Sequence, residues 1–209
     1  MGMLSLLTVL LFGAFEVGTR VFRDTTVRQS SEFQIRAIKL LLERDANHTT
    51  FWYCNKNGSP RTVAGSNRDA LAMAQVDDMD DPTNYDPTSL RPIWNRYVVW
   101  YADMKSPTGS LYRQLVAPPV PAGGFITPYA GLGSNISDDP GANANVIYSR
   151  VLSEDVVDFT TGLRLENGTI TANIRLQAKG EQRPGTLSKT EENLEVMFTF
   201  QPKNSWPKI

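Results

Sequence analysis

The densest run of chemistry-bearing side chains is Asp77, Asp78, Asp80, Asp81, Asn84 and Asp86, inside the stretch DDMDDPTNYDPTS. Hard oxygen donors this close together suit calcium, which gathers carboxylate and carbonyl oxygens in a flexible shell. The run has no glycine at the sixth place of a calcium loop and no glutamate at the twelfth, so it is not an EF-hand. Asp77, Asp78, Asp80, Asp81 and Asp86 are therefore weak calcium candidates, and a solvated acidic loop is the plainer reading. No other cofactor is expected.

Nucleophilic chemistry has little to work with. Cys54 is the one cysteine and His48 the one histidine. A Cys/His pair is arithmetically available but sits in no supporting pattern, and a single thiol forms no intramolecular disulfide. Asn47-His48-Thr49, Asn135-Ile136-Ser137 and Asn167-Gly168-Thr169 match the glycan-acceptor triplet. Such triplets arise often by chance, and Asn167-Gly168 is already explained as a turn. There is no P-loop, no dinucleotide-binding glycine pattern, no G-x-S-x-G and no His/Cys metal spacing. Gly123-Gly124 sits in a proline-rich loop rather than between a strand and a helix. No nucleophile, base and orienting group stand together, so the chain is not expected to be an enzyme. With 21 basic and 22 acidic residues the net charge is −1, which gives no electrostatic case for nucleic acid. A hydrophobic content of 41% with 21% charged residues is that of a folded protein.

The elements that would position these groups begin with a helix. The segment MGMLSLLTVLLFGAFEVGTRVFRD opens apolar, and no proline interrupts the chain before Pro60. Apolar or small residues then recur at helical spacing: Phe15, Gly18, Phe22, Thr26, Phe33, Ala37, Leu40 and Leu41. The opposite face carries Arg20, Arg23, Arg28, Glu32, Arg36, Lys39 and Glu43. One continuous helix from about residue 3 to about residue 45 is predicted, roughly 65 Å long. Residues 1–15 are greasy all round, and 16–48 are amphipathic. The first part needs lipid or other helices around it, and the second needs the protein's own head. Leu4, Leu6, Leu7, Val9, Leu10, Leu11, Phe12, Phe15 and Phe22 are the expected membrane or filament contacts. Arg20, Arg23 and Arg28, just beyond the apolar tract, suit either phospholipid head groups or neighbouring subunits.

Residues 49–209 read as a β-rich head. Thr49 to Asn55 is β-branched and aromatic and is expected as a strand. Arg96 to Asp103 and Ser110 to Val116 form a hairpin. A second hairpin runs Val157 to Leu165, Asn167-Gly168 and Thr169 to Gln177, since Asn-Gly supplies the positive φ angles of a tight turn. In its second arm Ile170, Ala172, Ile174 and Leu176 alternate with Thr171, Asn173, Arg175 and Gln177, giving one dry face and one wet one. A last strand spans Leu194 to Phe200. Two stretches without periodicity, about 61–92 and 117–144, are expected as long loops on the solvent side of the head. The fold class that follows is α+β, with the C-terminal half of a long N-terminal helix packed on an antiparallel sheet.

The segment FEVGTRVFRDTTVRQSSEFQIRAIKLLLERD resembles the N-terminal helix of type IV pilin-like proteins, in particular the J-type pseudopilins of type II secretion and the W-type minor pilins. Their helix ends on a leucine-rich run and an acidic-Arg-Asp signature, here Leu40-Leu41-Leu42-Glu43-Arg44-Asp45. In the head, Gly109-Ser110-Leu111-Tyr112-Arg113 is similar to the family's G-x-L-x-R, Val151 to Phe159 to its V-L-x-x-x-V-x-x-F, and Pro202-Lys203-Asn204 to the terminal P-R-N of W-type subunits. The family carries an acidic residue fifth in the mature chain, whereas no acid precedes Glu16 here. The expectation is that the chain as given starts inside the helix, without a leader and about ten residues.

The resemblance implies a structural subunit of a pilus or secretion pseudopilus, at its tip or in priming its assembly. It would be held in the bacterial cytoplasmic membrane by one span, head extracytoplasmic, before joining a filament. Other pilin-like subunits would be its partners through the helix, with a secreted substrate or surface ligand at the head loops. The alternative is a membrane-tethered extracytoplasmic ligand-binding module with no filament role.

Overall fold

The structure is a computed structural model that describes residues 2–57, 60–117, 145–179 and 191–203. Helix α1, Gly2–Asn47, runs unbroken for 46 residues, roughly 69 Å. It closes with the His48 N–H on the Arg44 carbonyl at 3.1 Å, just before the β-branched pair Thr49-Thr50. Three of its threonine hydroxyls are satisfied internally: Thr19 donates to the Phe15 carbonyl, Thr25 to Val21 and Thr26 to Phe22, each at 2.8 Å. A helix with such back-bonded hydroxyls presents few unmet polar groups to an apolar neighbour. On its polar side Glu32 lies between Arg28 at 3.3 Å and Arg36 at 3.9 Å.

The head is a curled seven-stranded antiparallel sheet in the order β1-β4-β5-β6-β7-β8-β9. Its strands are β1 (Cys54–Lys56), β4 (Ala70–Gln75), β5 (Arg96–Ala102), β6 (Gly109–Val116), β7 (Val146–Arg164), β8 (Thr169–Lys179) and β9 (Glu191–Phe200). A separate small hairpin, β2 (Thr62–Val63) and β3 (Ser66–Asn67), turns through Ala64 and Gly65, both at positive φ as a two-residue hairpin turn requires. A bridge from Arg68 to Phe159 ties this hairpin to β7. Strand β7 does two jobs. Its first half pairs with β6 through several register shifts, and its second half pairs with β8 after a shift at Val156/Asp158. Those irregularities bend the strand and let one sheet wrap the helix.

The core lies between the sheet's concave face and the last turns of α1. Ile35, Ile38, Leu42 and Ala46 of the helix meet Leu71 and Met73 of β4, Val98 and Trp100 of β5, and Ile170, Ala172, Ile174 and Leu176 of β8. A second cluster covers the other face, with Ala70, Ala72 and Ala74 packed near Trp94, Tyr97, Val99 and Tyr101.

The α+β architecture and both strand pairings match the sequence reading, with four corrections. The second hairpin does not turn tightly on Asn167-Gly168: Arg164 pairs with Thr169 across the four residues 165–168, of which only Gly168 has positive φ. The expected strand Thr49 to Asn55 is mostly a 3-10 turn, Phe51–Tyr53, with only β1 after it. Its reason is local: the Tyr53 N–H returns to the Thr50 carbonyl at 3.2 Å while Phe51 drops into the core. The 61–92 stretch is not all loop, because it holds β2, β3 and the wholly buried β4. The last concerns the helix face. Phe33 is 74% and Leu40 is 67% exposed, so the stripe read from the sequence points away from the head. Only Leu41 of that set packs against the core. The 117–144 loop lies, after Ala117, outside the described residues.

Candidate functional site

Two features of this fold invite a function: the bare part of the helix, and a cleft where the helix ends. In the first, Leu6, Leu7, Val9, Leu10, Leu11, Phe12, Phe15 and Phe22 are each between 60% and 75% exposed; the Leu4 side chain lies outside the described residues. Helix Ser5–Asn47 is long and apolar enough to cross a membrane, with mean hydropathy 1.5 over its most apolar 18-residue window and none of that window buried. By length and composition it fits a membrane span or a signal sequence alike.

The apolar surface does not end with the greasy tract. At 100° per residue, Phe15, Phe22, Phe33 and Leu40 lie within about 20° of one another. The head-packing residues Ile35, Ile38 and Leu42 occupy the other side. Buried against the head on one side, the helix thus keeps a second apolar stripe facing out along its length.

The second feature is built by two sequence motifs that the fold brings together. Asp45, the acid of Leu42-Glu43-Arg44-Asp45, is 1% exposed. Its Oδ2 accepts from Arg113 Nε at 2.6 Å and Trp100 Nε1 at 2.9 Å, and its Oδ1 from Arg113 Nη2 at 2.8 Å. Gln75 Nε2 adds a bond to the Asp45 carbonyl at 3.4 Å. An acid in the last helical turn opposes the helix dipole, so its place is explained by Arg113, the arginine of the G-x-L-x-R strand. Beside this clamp opens a cleft of about 360 Å³, lined by Arg44, His48, Val76, Met79, Arg113 and Leu115 among others. The sequence reading named both motifs but did not pair them. The available signal was a lone acid and a lone arginine in otherwise core-facing patterns.

The five aspartates do not converge. Asp77 pairs with Arg96. Asp78 Oδ1 accepts the Asp80 N–H at 2.9 Å, Asp81 Oδ1 caps the Pro82–Asn84 turn by accepting from Thr83 N at 2.9 Å, and Asp86 Oδ1 accepts from Thr88 N at 2.7 Å. Those backbone donors hold the Asp81 and Asp86 carboxyls below their ordinary range. Among the described residues no three His, Cys, Asp or Glu side chains come close enough to share a metal. Turn-capping explains the acidic run without an ion. Millimolar calcium is accordingly expected to leave the melting temperature unchanged in a thermal scan; a rise of several degrees would restore the calcium reading.

Cys54 is buried, its thiol donating to the Thr50 carbonyl at 3.3 Å beside Thr49, while His48 is exposed. Desolvation pushes the thiol up to about 12, against a weaker opposing effect of Thr49. A thiol kept protonated and covered is a poor nucleophile. Iodoacetamide at pH 8 is expected to leave the folded protein unmodified and to alkylate it fully in denaturant, as read by intact mass.

No family model, curated protein or solved structure matches the chain. The resemblance to pilin-like subunits rests on the residues quoted for it.

Proposed function

We propose that this chain is a structural subunit of a type IV pilus-like filament or type II secretion pseudopilus, acting at its tip or in priming its assembly. One span of the bacterial cytoplasmic membrane holds it first, head extracytoplasmic, and the helix then joins the helices of other pilin-like subunits. The observation that carries the reading is the outward stripe. From Leu11 to Leu40 the exposed apolar stripe extends roughly 44 Å along the axis, well beyond the about 30 Å of a bilayer's hydrocarbon core. Phe33 and Leu40 lie level with the head, on turns that also carry core residues. A bilayer that holds Leu6 to Phe15 does not also reach Leu40, whereas a neighbouring helix of similar length covers both. The back-bonded hydroxyls of Thr19, Thr25 and Thr26 add no unmet hydroxyl donor to the helix surface.

The test is a photo-crosslinking amino acid placed at Phe33 or at Leu40 in the full-length chain in its native membrane. Cross-links to the helices of other long-helix subunits are the expected result. Products with lipid alone at Leu10, and none with protein at Phe33 or Leu40, would instead leave a tethered head with no filament role.

A further inference from the structure

An open sheet has two edges, and this one has a third. The edge of β7 that β8 covers from Val156 to Arg164 continues back to Val146 with no strand on it among the described residues, while β6 takes the opposite edge. Beyond Leu176, β8 keeps only β9 as a neighbour, so the sheet opens at this point. The two outer edges are blunted. Strand β1 is three residues long, and β9 reads EENLEVMFTF, with three glutamates in its first five residues. Shortness and charge are the usual means of keeping a strand edge from pairing with another chain. The bare part of β7 has neither: Val146 to Ser153 holds one charge, Arg150, and no proline. Its large apolar side chains Ile147, Tyr148 and Val151 are each between 41% and 53% exposed.

We propose that this edge pairs with the same edge of a second copy of the chain, antiparallel about a two-fold axis at Ser149. The segment Val146-Ile147-Tyr148-Ser149-Arg150-Val151-Leu152 is complementary to itself in that register. Ile147 falls opposite Val151 and Val146 opposite Leu152, and the two-fold axis forms each pair twice. Both members of a pair have odd numbers or both have even ones, so their side chains share a face of the joined sheet. Tyr148 falls opposite Arg150. Within its own sheet Arg150 stands across from Arg113, a like charge that Asp45 already holds, and it makes no ion pair among the described residues. The tyrosine ring of the second copy gives it an electron-rich face. Pairing from Val146 to Leu152 ends four residues short of Val156, where β8 begins to cover β7, so the added strand and β8 do not compete. The backbone N–H and C=O groups along the edge then gain partners, as in other strand additions.

This pairing belongs to the head and goes beyond the filament function, which stands or falls separately on the helix. Ser149 faces its own symmetry mate, with Cβ atoms about 4.5–5.5 Å apart, close to the reach of a disulfide. Ser149→Cys in the full-length chain, purified in detergent micelles and mildly oxidised, is expected to give a disulfide-linked dimer by non-reducing gel and intact mass. Cys54 is buried and stays out of the reaction. Thr199→Cys, exposed on β9, controls for chains gathered by their helices in one micelle and is expected to stay uncrosslinked. Ile147→Lys added to Ser149→Cys is expected to lower the dimer yield about tenfold, with an unchanged melting temperature because Ile147 is half exposed. No dimer, an equal yield from Thr199→Cys or an equal yield after Ile147→Lys would each overturn the proposal. So would a disulfide from Ser149→Cys in the native membrane to a chain of different mass instead of to a second copy.

Discussion

Asp45→Ala is expected to destabilise the head by about 3–5 kcal/mol, the range for removing one partner of a buried ion pair. The loss has two parts. The Arg113 guanidinium keeps its charge in a site 8% exposed, with neither Nε nor Nη2 answered. Trp100 Nε1, on a ring with no exposure, loses its acceptor too. Asp45→Asn separates these parts, since an amide oxygen still accepts one bond but brings no charge; it should recover about 1–2 kcal/mol. Replacing both partners, Asp45→Leu with Arg113→Met, removes the unpaired charge and leaves the indole N–H as the chief residual cost, about 1–3 kcal/mol. Urea unfolding of the full-length chain, followed by tryptophan fluorescence, measures all three. A cost under about 1 kcal/mol for Asp45→Ala, or a double variant worse than the single, would mean that the clamp does not hold the helix to the sheet.

That clamp also shows where sequence reading stops. Asp45 and Arg113 are 68 residues apart, and each stands in its own short motif. Helix and strand were legible separately, because apolar period and turn residues are local signals. Their juncture depends on how β4, β5 and β6 line up, and no local pattern encodes it. Strand β8 was legible for the same reason that β4 was not. In β8 one face is dry and the other carries Thr171, Asn173, Arg175 and Gln177, so the alternation is written in the residue types. In β4, Ala70–Gln75, both faces are covered: Leu71 and Met73 enter the helix-side core while Ala70, Ala72 and Ala74 enter the other cluster. Burial on both sides erases the alternation. Alanine, a poor strand former on propensity, then makes the segment look like part of a loop. The acidic stretch failed in the opposite way: it was visible, but whether five carboxylates converge or cap separate turns depends on backbone direction, which composition does not record.

The helix misreading had a different source, and it yields the sharpest contrast available in this chain. Large apolar residues at helical period announce that a face is covered without saying by what, and α1 has two such faces. Leu40 and Leu42 sit two residues apart, one 67% exposed and the other fully buried. Leu42→Ala should cost about 2–5 kcal/mol of head stability, the range for a buried leucine truncated in a packed core, and Leu42→Asp should abolish cooperative unfolding outright. Leu40→Ala is expected to stay within about 0.5 kcal/mol of the parent, and Leu40→Asp to leave the urea midpoint nearly unmoved while the chain no longer joins neighbouring helices in the membrane. Propensity separates none of these pairs, since the same residue is replaced in the same helix. Stability read by unfolding and association read by cross-linking must therefore move at different positions: Leu42 in the first, Leu40 in the second. If Leu40→Asp unfolded the head as Leu42→Asp does, the outward stripe would be a second core face, and no surface would remain for another subunit's helix to cover.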